Sequence, residues 1–478
     1  MIRRESAGGR AREPVGLPSR RAALAAIAAV EQDGAWSNLA VPEAVADLPE
    51  ARDRAFASHL AYDTLRWRRT LDHALGQVLS RPLEQVEPRL QFVLRLGALQ
   101  LLRTDIPVSA AVDTAAALAR EAVPASRADG AAGFVNGVLR ALARRREDLH
   151  WPDPAREPVA ELALSTAHPE WIVRDLLARY GTERTRAILL ADNEPPGLTL
   201  RVVGDRDALV AELQAAGIEA TPGTTPAAIR APGADPRRLS AVRDGRAVPQ
   251  DEASMQVVAA TGVQPGDRVL DLCAGPGGKT TDLARLVGPD GRVVAVELHP
   301  HRAELIRQAA HTQGVEVAVV VGDATDPAVL AEAARAAGVV DDAVVDDAVA
   351  DDAVADDAVV DDAVADDGAG GFDVVLLDAP CTGLGTGRRR PEVRWRREPG
   401  DVRQLAAWQR RLLLAASGQL RAGGRLTYAV CTWTATETEA VVAMLDAARD
   451  DLELLHRVQL LPDVDDTDGM FHATWRRR

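Results

Sequence analysis

Cysteine is nearly absent from this chain: three in 478 residues cannot build a disulfide framework. No apolar run approaches the roughly 18 residues needed to cross a bilayer, and no charged, apolar, small-residue succession opens the chain. No membrane partner is therefore expected, and a reducing cytoplasm is the expected location. Cys-x-x-Cys pairs and Cys/His clusters are missing too, which argues against zinc and leaves no metal expected. Aromatic residues make up 3%, so the cores of a chain that is 47% apolar must be built from Ala, Val and Leu. Lysine is all but gone: of 56 basic residues only Lys279 is not an arginine. So uniform a bias reads as codon composition, and the position of the single lysine is the informative part.

Positive charge is also short, with a net of −15, which would ordinarily argue against a nucleic-acid partner. The excess is local. Residues 341–367 hold six Asp-Asp pairs at a five-residue spacing and no basic residue, which leaves −3 on the remainder. A five-residue period fits neither helix nor strand, so this stretch reads as an expanded, disordered insertion. It lacks the spaced glycines and bidentate Glu of a calcium loop.

The grammar of the chain changes along its length. Residues 1–19 are rich in Gly, Arg and Pro and read as a disordered basic tail. Residues 20–150 read as an all-helical domain: Leu90, Val93, Leu94, Gly97 and Leu101 form one helical stripe. Pro152, Pro154 and Pro158 open a linker, and 151–244 as a whole reads as linker plus a small mixed α/β domain. From 245 to 478 short β-rich runs (268–272, 292–298, 316–321, 372–377 and 425–430) alternate with helical stretches. That alternation predicts a Rossmann-like, doubly wound, mostly parallel sheet whose ligands sit at the carboxyl ends of its strands.

The run Asp271-Leu272-Cys273-Ala274-Gly275-Pro276-Gly277-Gly278-Lys279-Thr280 follows the first of these strands and opens a helix. It is not a phosphate-binding P-loop, because Cys273 stands where that motif needs its first glycine. A nucleotide-like cofactor would instead require a carboxylate ending the second strand, and Glu297 is there; Asp323 ends the third. Glycine loop, Glu and Asp on three successive strand ends point to S-adenosylmethionine, with helix capping as the plainer role for the two acids. The fourth strand ends in Asp378-Ala379-Pro380-Cys381 and the fifth in Ala429-Val430-Cys431-Thr432, which brings two cysteines to one crevice. A thiolate suits a target carbon that is a poor nucleophile, such as C5 of a pyrimidine: addition at C6 makes an enamine that can take a methyl group. Asp378 next to it is suited to hydrogen-bond or protonate N3 of cytosine. The alternative is that both cysteines are small buried hydrophobes.

These residues carry a resemblance. The Asp271–Thr280 run, Asp378–Cys381, and Cys431 followed by Glu437 resemble the Sun-type RNA (cytosine-5) methyltransferases. The Phe134–Arg140 run and the helical first domain resemble the NusB-like domain preceding the catalytic part in the RsmB branch, which acts on small-subunit ribosomal RNA. Ala167–Trp171, Leu200–Val202, Gln250–Ser254 and Asp468–Phe471 extend the likeness over nearly the whole chain from about Arg20. The resemblance implies Cys431 as nucleophile, Cys381 as the cysteine that assists adduct breakdown and product release, and Asp378 beside cofactor and base. It implies cofactor contacts at Cys273, Ala274, Gly275, Pro276, Gly277, Gly278, Lys279, Glu297, Asp323 and Asp378. The chain departs from the family pattern at Val430 and Thr432 (Ala-Thr-Cys-Ser is usual), at Thr436 where an acid is common, and in the Asp-rich insertion.

Arg388, Arg389, Arg390, Arg394, Trp395 and Arg396 follow the first cysteine loop, and basic residues interleaved with an aromatic read as a grip on single-stranded RNA. The helical domain reads as a further RNA-docking module. Two other readings stay open at this point: the same chemistry on another RNA such as transfer RNA, and a non-catalytic NusB-like assembly or antitermination factor.

Overall fold

The computed structural model describes residues 14–339 and 371–478; the acidic insertion and the first 13 residues of the basic tail lie outside them. The chain divides into two compact units, one running through Asn193 and including Gly387–Arg396, the other formed by Glu194–Thr386 and Arg397–Arg478.

The first unit is helical. It contains α1 (Leu17–Glu31), α2 (Ser37–Ala44), α3 (Ala51–Arg66), α4 (Arg68–Gly76), α5 (Pro88–Arg103), α6 (Val108–Glu121), α7 (Ala128–Arg145), α8 (Pro158–Ser165) and α9 (Glu170–Ala191). The stripe anticipated on α5 buries Leu90, Val93, Leu94 and Leu101 against a core that includes Leu71, Leu118 and Leu139. Each such leucine contributes about 1.5–3 kcal/mol. Polar groups that enter this core are paired: Arg95 donates twice to Asp72 at 2.6 and 2.9 Å, and Arg20 Nε donates to Gln100 at 2.7 Å.

The two compact units divide at Asn193, inside the stretch 151–244 read from the sequence as linker plus a small mixed α/β domain. Helices α8 and α9 belong to the helical unit, and the strands that follow belong to the other. Pro158 does not extend a linker; it starts α8, where its missing N–H is no loss.

The second unit holds two sheets. The smaller is antiparallel, in the order β2-β3-β1-β4, from β1 (Leu198–Val202), β2 (Thr221–Pro222), β3 (Ala228–Ala231) and β4 (Ala247–Pro249), with α10 (Arg206–Ala215) packed on it. The larger has the order β10-β11-β9-β8-β5-β6-β7. Its strands β5 (Arg268–Leu272), β6 (Arg292–Glu297), β7 (Ala318–Val321), β8 (Phe372–Asp378) and β9 (Leu420–Val430) are parallel. The last two, β10 (Leu452–Leu460) and β11 (Met470–Arg477), run antiparallel to their neighbours. Around them lie α11 (Glu252–Thr261), α12 (Gly278–Val287), α13 (Pro300–Gln313), α14 (Pro327–Ala336), α15 (Pro399–Ser417) and α16 (Glu439–Ala448). Successive residues of the central strands feed opposite cores: Leu270, Leu272, Val375 and Leu377 one, Val269, Val374 and Leu376 the other. The strand order reverses between β5 and β8, which opens a crevice beyond their carboxyl ends.

Candidate functional site

The glycine-rich loop crosses that crevice between β5 and α12. Cys273 takes a left-handed φ of 61°, and Gly277 one of 102° with Ile306 Cα of α13 only 3.1 Å from where a Cβ would stand. Glycine is required at 277 on both counts. Ala274 N–H donates to Val296 O on β6 at 3.1 Å, so the loop lies against the neighbouring strand end. There Glu297, 2% exposed, accepts from Gly275 N–H and His299 N–H, each at 3.0 Å. Arg302 lies 3.6 Å from the same carboxylate and donates to Gly275 O. Gly322 N–H donates to Glu297 O, which brings β7 and Asp323 next in line; Asp323 Oδ1 accepts from Thr325 N–H and Oγ1 at 2.8 Å.

Asp271, the last-but-one residue of β5, was not among the expected site residues. Its Oδ2 accepts from Thr280 at 2.7 Å, while Oδ1 is buried with no partner. Burial, with the charges of Asp378 and Glu297 adding to it, pushes its carboxyl up to about 7. Burial also pushes the Cys273 thiol up, so this cysteine is an inert part of the loop wall. Close backbone approach, an orphaned acceptor and carboxylates on three strand ends fit the ribose diol and base of an adenosine-type cofactor.

Lys279, in the first turn of α12, reaches across to β8. Its Nζ lies 2.7 Å from Asp378 Oδ2, with the ammonium side chain 11% exposed. Burial works against its charge, but Asp378, Cys431 and Asp271 outweigh burial and raise it. The single lysine therefore pairs with the expected catalytic acid, a partner that the resemblance does not name for it. Cys381, beyond the end of β8, and Cys431, beyond the end of β9, meet with their sulfurs 3.3 Å apart. The hydrogen bond to Cys431, burial, and the charges on Cys431, Glu437 and Asp378 hold the Cys381 thiol well above its ordinary range. Either sulfur can donate to the other across this contact.

A residue known beforehand only as part of a motif sits beneath this pair. Glu437 is fully buried; its Oε1 accepts from Thr382 N–H at 2.8 Å and Gln409 Nε2 at 3.1 Å. Its Oε2 accepts from the hydroxyls of Thr382 (2.6 Å), Thr434 (2.8 Å) and Thr432 (3.3 Å). Thr382 and Thr432 each follow a cysteine directly and touch each other at 2.9 Å. Gln409 also donates to Pro380 O at 2.9 Å, and Tyr428 OH donates to Glu437 O at 2.7 Å. The Asp468–Phe471 motif packs here too: Gly469 N–H donates to Gly385 O at 2.8 Å, and a side chain on either glycine would collide with the other's backbone.

The arginine run departs from the RNA grip expected of it. Residues 387–396 belong to the helical unit. Arg394 is 1% exposed, with Nη2 at 2.6 Å from Asp192 and Nη1 at 2.7 Å from Asn193 Oδ1. Trp395 Nε1 donates to Leu65 O, Arg396 donates to the carbonyls of Val30 and Ala35, and Arg66 donates to Arg388 O of the buried Arg388. Glu392 accepts from Ser37 N–H at 2.8 Å. Arg394, Trp395 and Arg396 thus hold this segment against the helices, because each guanidinium or indole N–H finds a carbonyl or carboxylate there, and Arg388 adds its backbone carbonyl as the acceptor for Arg66. Arg389 is half-buried; Arg390 remains exposed, its guanidinium 5.5 Å from the Trp36 ring.

Among the described residues no helix is long and apolar enough to cross a membrane. Three family descriptions match the chain: the NusB family over residues 17–144, an RsmF/B-like ferredoxin-like domain over 168–234, and 16S rRNA methyltransferase RsmB/F over 258–476. A putative methyltransferase of Mycobacterium tuberculosis is 38% identical, with 96% of each chain covered. The probable ribosomal RNA small subunit methyltransferase B of Bacillus subtilis is 30% identical over 96% of this chain and 98% of that one. The crystal structure of PH0851 shares the fold with a TM-score of 0.77 at 22% identity, covering 96% of this chain and 99% of that one. These matches, laid over a seven-stranded methyltransferase sheet with an adenosine-type cradle, show that the chain belongs to the RsmB/F family of S-adenosylmethionine-dependent ribosomal RNA methyltransferases, with a NusB domain at its front and a ferredoxin-like domain between.

Proposed function

We propose that this chain methylates C5 of a cytosine in small-subunit ribosomal RNA, through a transient covalent bond between Cys431 and C6 of the base. The observation that carries the reading is the thiol pair, 3.3 Å between sulfurs, beside the 2.7 Å Lys279–Asp378 pair. Relatives named for the small ribosomal subunit support the choice of RNA.

The chemistry follows from which group holds a proton. Cys431 Sγ, as thiolate beside the Lys279 ammonium, adds to C6, and the C5=C6 electrons move toward N3. A proton passes to N3 from Lys279 through Asp378, which keeps charge from building on the ring. The enamine that results is nucleophilic at C5, and bound S-adenosylmethionine supplies the methyl group that C5 takes. Once the Cys431 sulfur is bonded to carbon, its hydrogen bond and its charge no longer raise the Cys381 thiol. Cys381 then gives its proton to water and takes the one on C5. The electrons of that C–H bond re-form C5=C6, the C6–S bond breaks to return the Cys431 thiolate, and N3 gives its proton back.

The test is to incubate Cys431→Ala, Cys381→Ala and the double variant with small-subunit RNA, transfer RNA and S-adenosylmethionine, followed by denaturing electrophoresis and 5-methylcytosine sequencing. Cys381→Ala is expected to accumulate a protein–RNA species on small-subunit RNA that the double variant lacks, and Cys431→Ala to give neither species nor product. An adduct from Cys431→Ala alone would reverse the two roles, and 5-methylcytosine in transfer RNA alone would overturn the substrate.

A further inference from the structure

We infer that Glu437 is the positioning residue of the two-cysteine reaction: by accepting from both residues that follow the cysteines, it fixes the separation of the two sulfurs and the order in which they react. The inference rests on the proposed thiol chemistry and adds to it a residue that is fully buried behind the two cysteine loops.

The geometry is that of a clamp. Cys381 and Cys431 sit on loops that leave neighbouring parallel strands; beyond the strands the backbone ties Ala379 N–H to Ala429 O at 2.9 Å and Gly385 N–H to Cys431 O at 3.0 Å, but no backbone bond joins the residues that follow the two cysteines. Glu437 joins them from below. Its two oxygens draw in Thr382 through both N–H and hydroxyl, and Thr432 through its hydroxyl. Gln409 of α15 fixes the same carboxylate and the Pro380 carbonyl together. Charge-assisted bonds of this kind are about twice as strong as neutral ones, and all of them here are buried. A structural support needs only to fill the space. This one also places a negative charge next to the thiol that must stay protonated while its neighbour attacks. The groups facing Cys381 are Tyr428 of β9, Cys431 just beyond it, Asp378 of β8, Glu437 ahead of α16, and Lys279 of α12 acting through Asp378.

Two substitutions separate charge from reach. In Glu437→Gln the amide oxygen can face the N–H donors of Thr382 and Gln409 while its NH2 faces hydroxyls that can turn to accept, so the clamp keeps its shape and loses its charge. Glu437→Asp keeps the charge and shortens the arm. Thr432→Val removes one link with little change in volume and serves if the Glu437 variants do not fold. For each full-length variant, iodoacetamide alkylation of Cys381 and Cys431 is followed separately by mass spectrometry across pH, beside S-adenosylmethionine binding and single-turnover methyl transfer.

Cofactor affinity is expected to stay within two- or three-fold of the parent, as Glu437 makes none of the loop contacts. Glu437→Gln is expected to move Cys381 alkylation to lower pH. Glu437→Asp should leave that profile in place but slow transfer toward the 100-fold that a misplacement of about 1 Å costs. Thr432→Val should slow transfer in the same sense by less. Parent-like alkylation profiles and rates in Glu437→Gln, or in Thr432→Val if that variant alone folds, would overturn the clamp. If the parent protein itself methylates no cytosine while Glu437→Gln still shifts the alkylation profile, the proposed reaction fails and the clamp stands.

Discussion

Arg394 offers the sharpest separation between a residue that holds RNA and one that holds the protein together. In the helical unit its guanidinium is buried against Asp192 and Asn193, with carbonyls of Asp192 and Ala167 at 3.3 and 3.4 Å. His168 completes the cluster, with Nε2 at 3.2 Å from Asp192 and Nδ1 at 2.7 Å from Thr166 O. Burial outweighs the attraction of Asp192 and pulls the arginine down to about 10, still charged at neutral pH. Arg394→Ala leaves the Asp192 carboxylate 1% exposed without its cation. Removing one partner of a buried pair costs about 3–5 kcal/mol, because the remaining charge stays desolvated. With a urea slope of about 2–3 kcal/mol/M for a unit of this size, the midpoint of its transition should fall by roughly 1–2.5 M. Arg394→Met should cost about as much, since it orphans the same carboxylate, and adding Asp192→Asn to it should recover a large part. The assay is urea unfolding of the full chain, followed by tryptophan fluorescence and circular dichroism, beside RNA binding over a salt titration. Unchanged unfolding together with a salt slope reduced by about one unit, the loss of one phosphate contact, would refute the reasoning and return Arg394 to the RNA.

Replacing residues 341–367 by a short Gly-Ser linker is expected to leave S-adenosylmethionine affinity and turnover within a few-fold. Gly371 on the far side of the insertion abuts Val339 on the near side, and loop-closure cost changes by only about 0.6 kcal/mol per doubling of length. Acid should weaken the helical unit more than the catalytic one. Burial, helped by Arg394, lowers His168 to about 4, and burial, helped by His456, lowers His472 to about 4. Between pH 6.5 and 4 the unfolded chain therefore binds protons that the native chain refuses, and stability drops as pH falls, by up to about 3 kcal/mol per histidine. In the catalytic unit Asp271, raised to about 7, acts with the opposite sign, since native binding of its proton gains stability as pH falls from 7 toward 3.8. Urea midpoints measured at pH 7.5, 6 and 4.5, with His168→Asn flattening the response of the helical unit, check this; equal acid sensitivity of both units would contradict it.

What could be read beforehand was what the chain encodes locally. A strand, a turn that needs glycine and a helix start lie within twenty residues of one another, so the cofactor loop and the ends of β5, β6, β8 and β9 were legible with their side chains. The strands β10 and β11 were not. Their outward positions carry Glu453, His456, Arg457 and Arg476, and it is the pairing with β9 that makes Phe471, Ala473 and Trp475 a core face. The arginine run misled for a related reason: charge in sequence reads as solvent-facing, whereas its burial depends on Asp192 and Asn193, some two hundred residues earlier in the chain. Glu437 escaped because its partners arrive from three separate segments, and a threonine hydroxyl has no period that marks what it will bond.

The one lysine shows how the two levels of reading meet. Fifty-five of the 56 basic positions are arginine, so arginine suffices wherever a planar, multiply donating cation meets carbonyls or carboxylates, as at Arg394 and Arg95. Position 279 asks for something else. Beside Asp378 the cation must be compact enough for a slot that leaves its side chain 11% exposed, and in the proposed reaction it must give up a proton and take it back. A guanidinium stays protonated under all physiological conditions and spreads its charge over a fork, while an ammonium is a point charge whose proton can move. The composition alone makes Lys279 conspicuous; the 2.7 Å contact with Asp378 supplies the reason. In the proposed reaction the proton that N3 needs is therefore held by the one lysine in the sequence, a cation that, unlike the arginines around it, is able to release it.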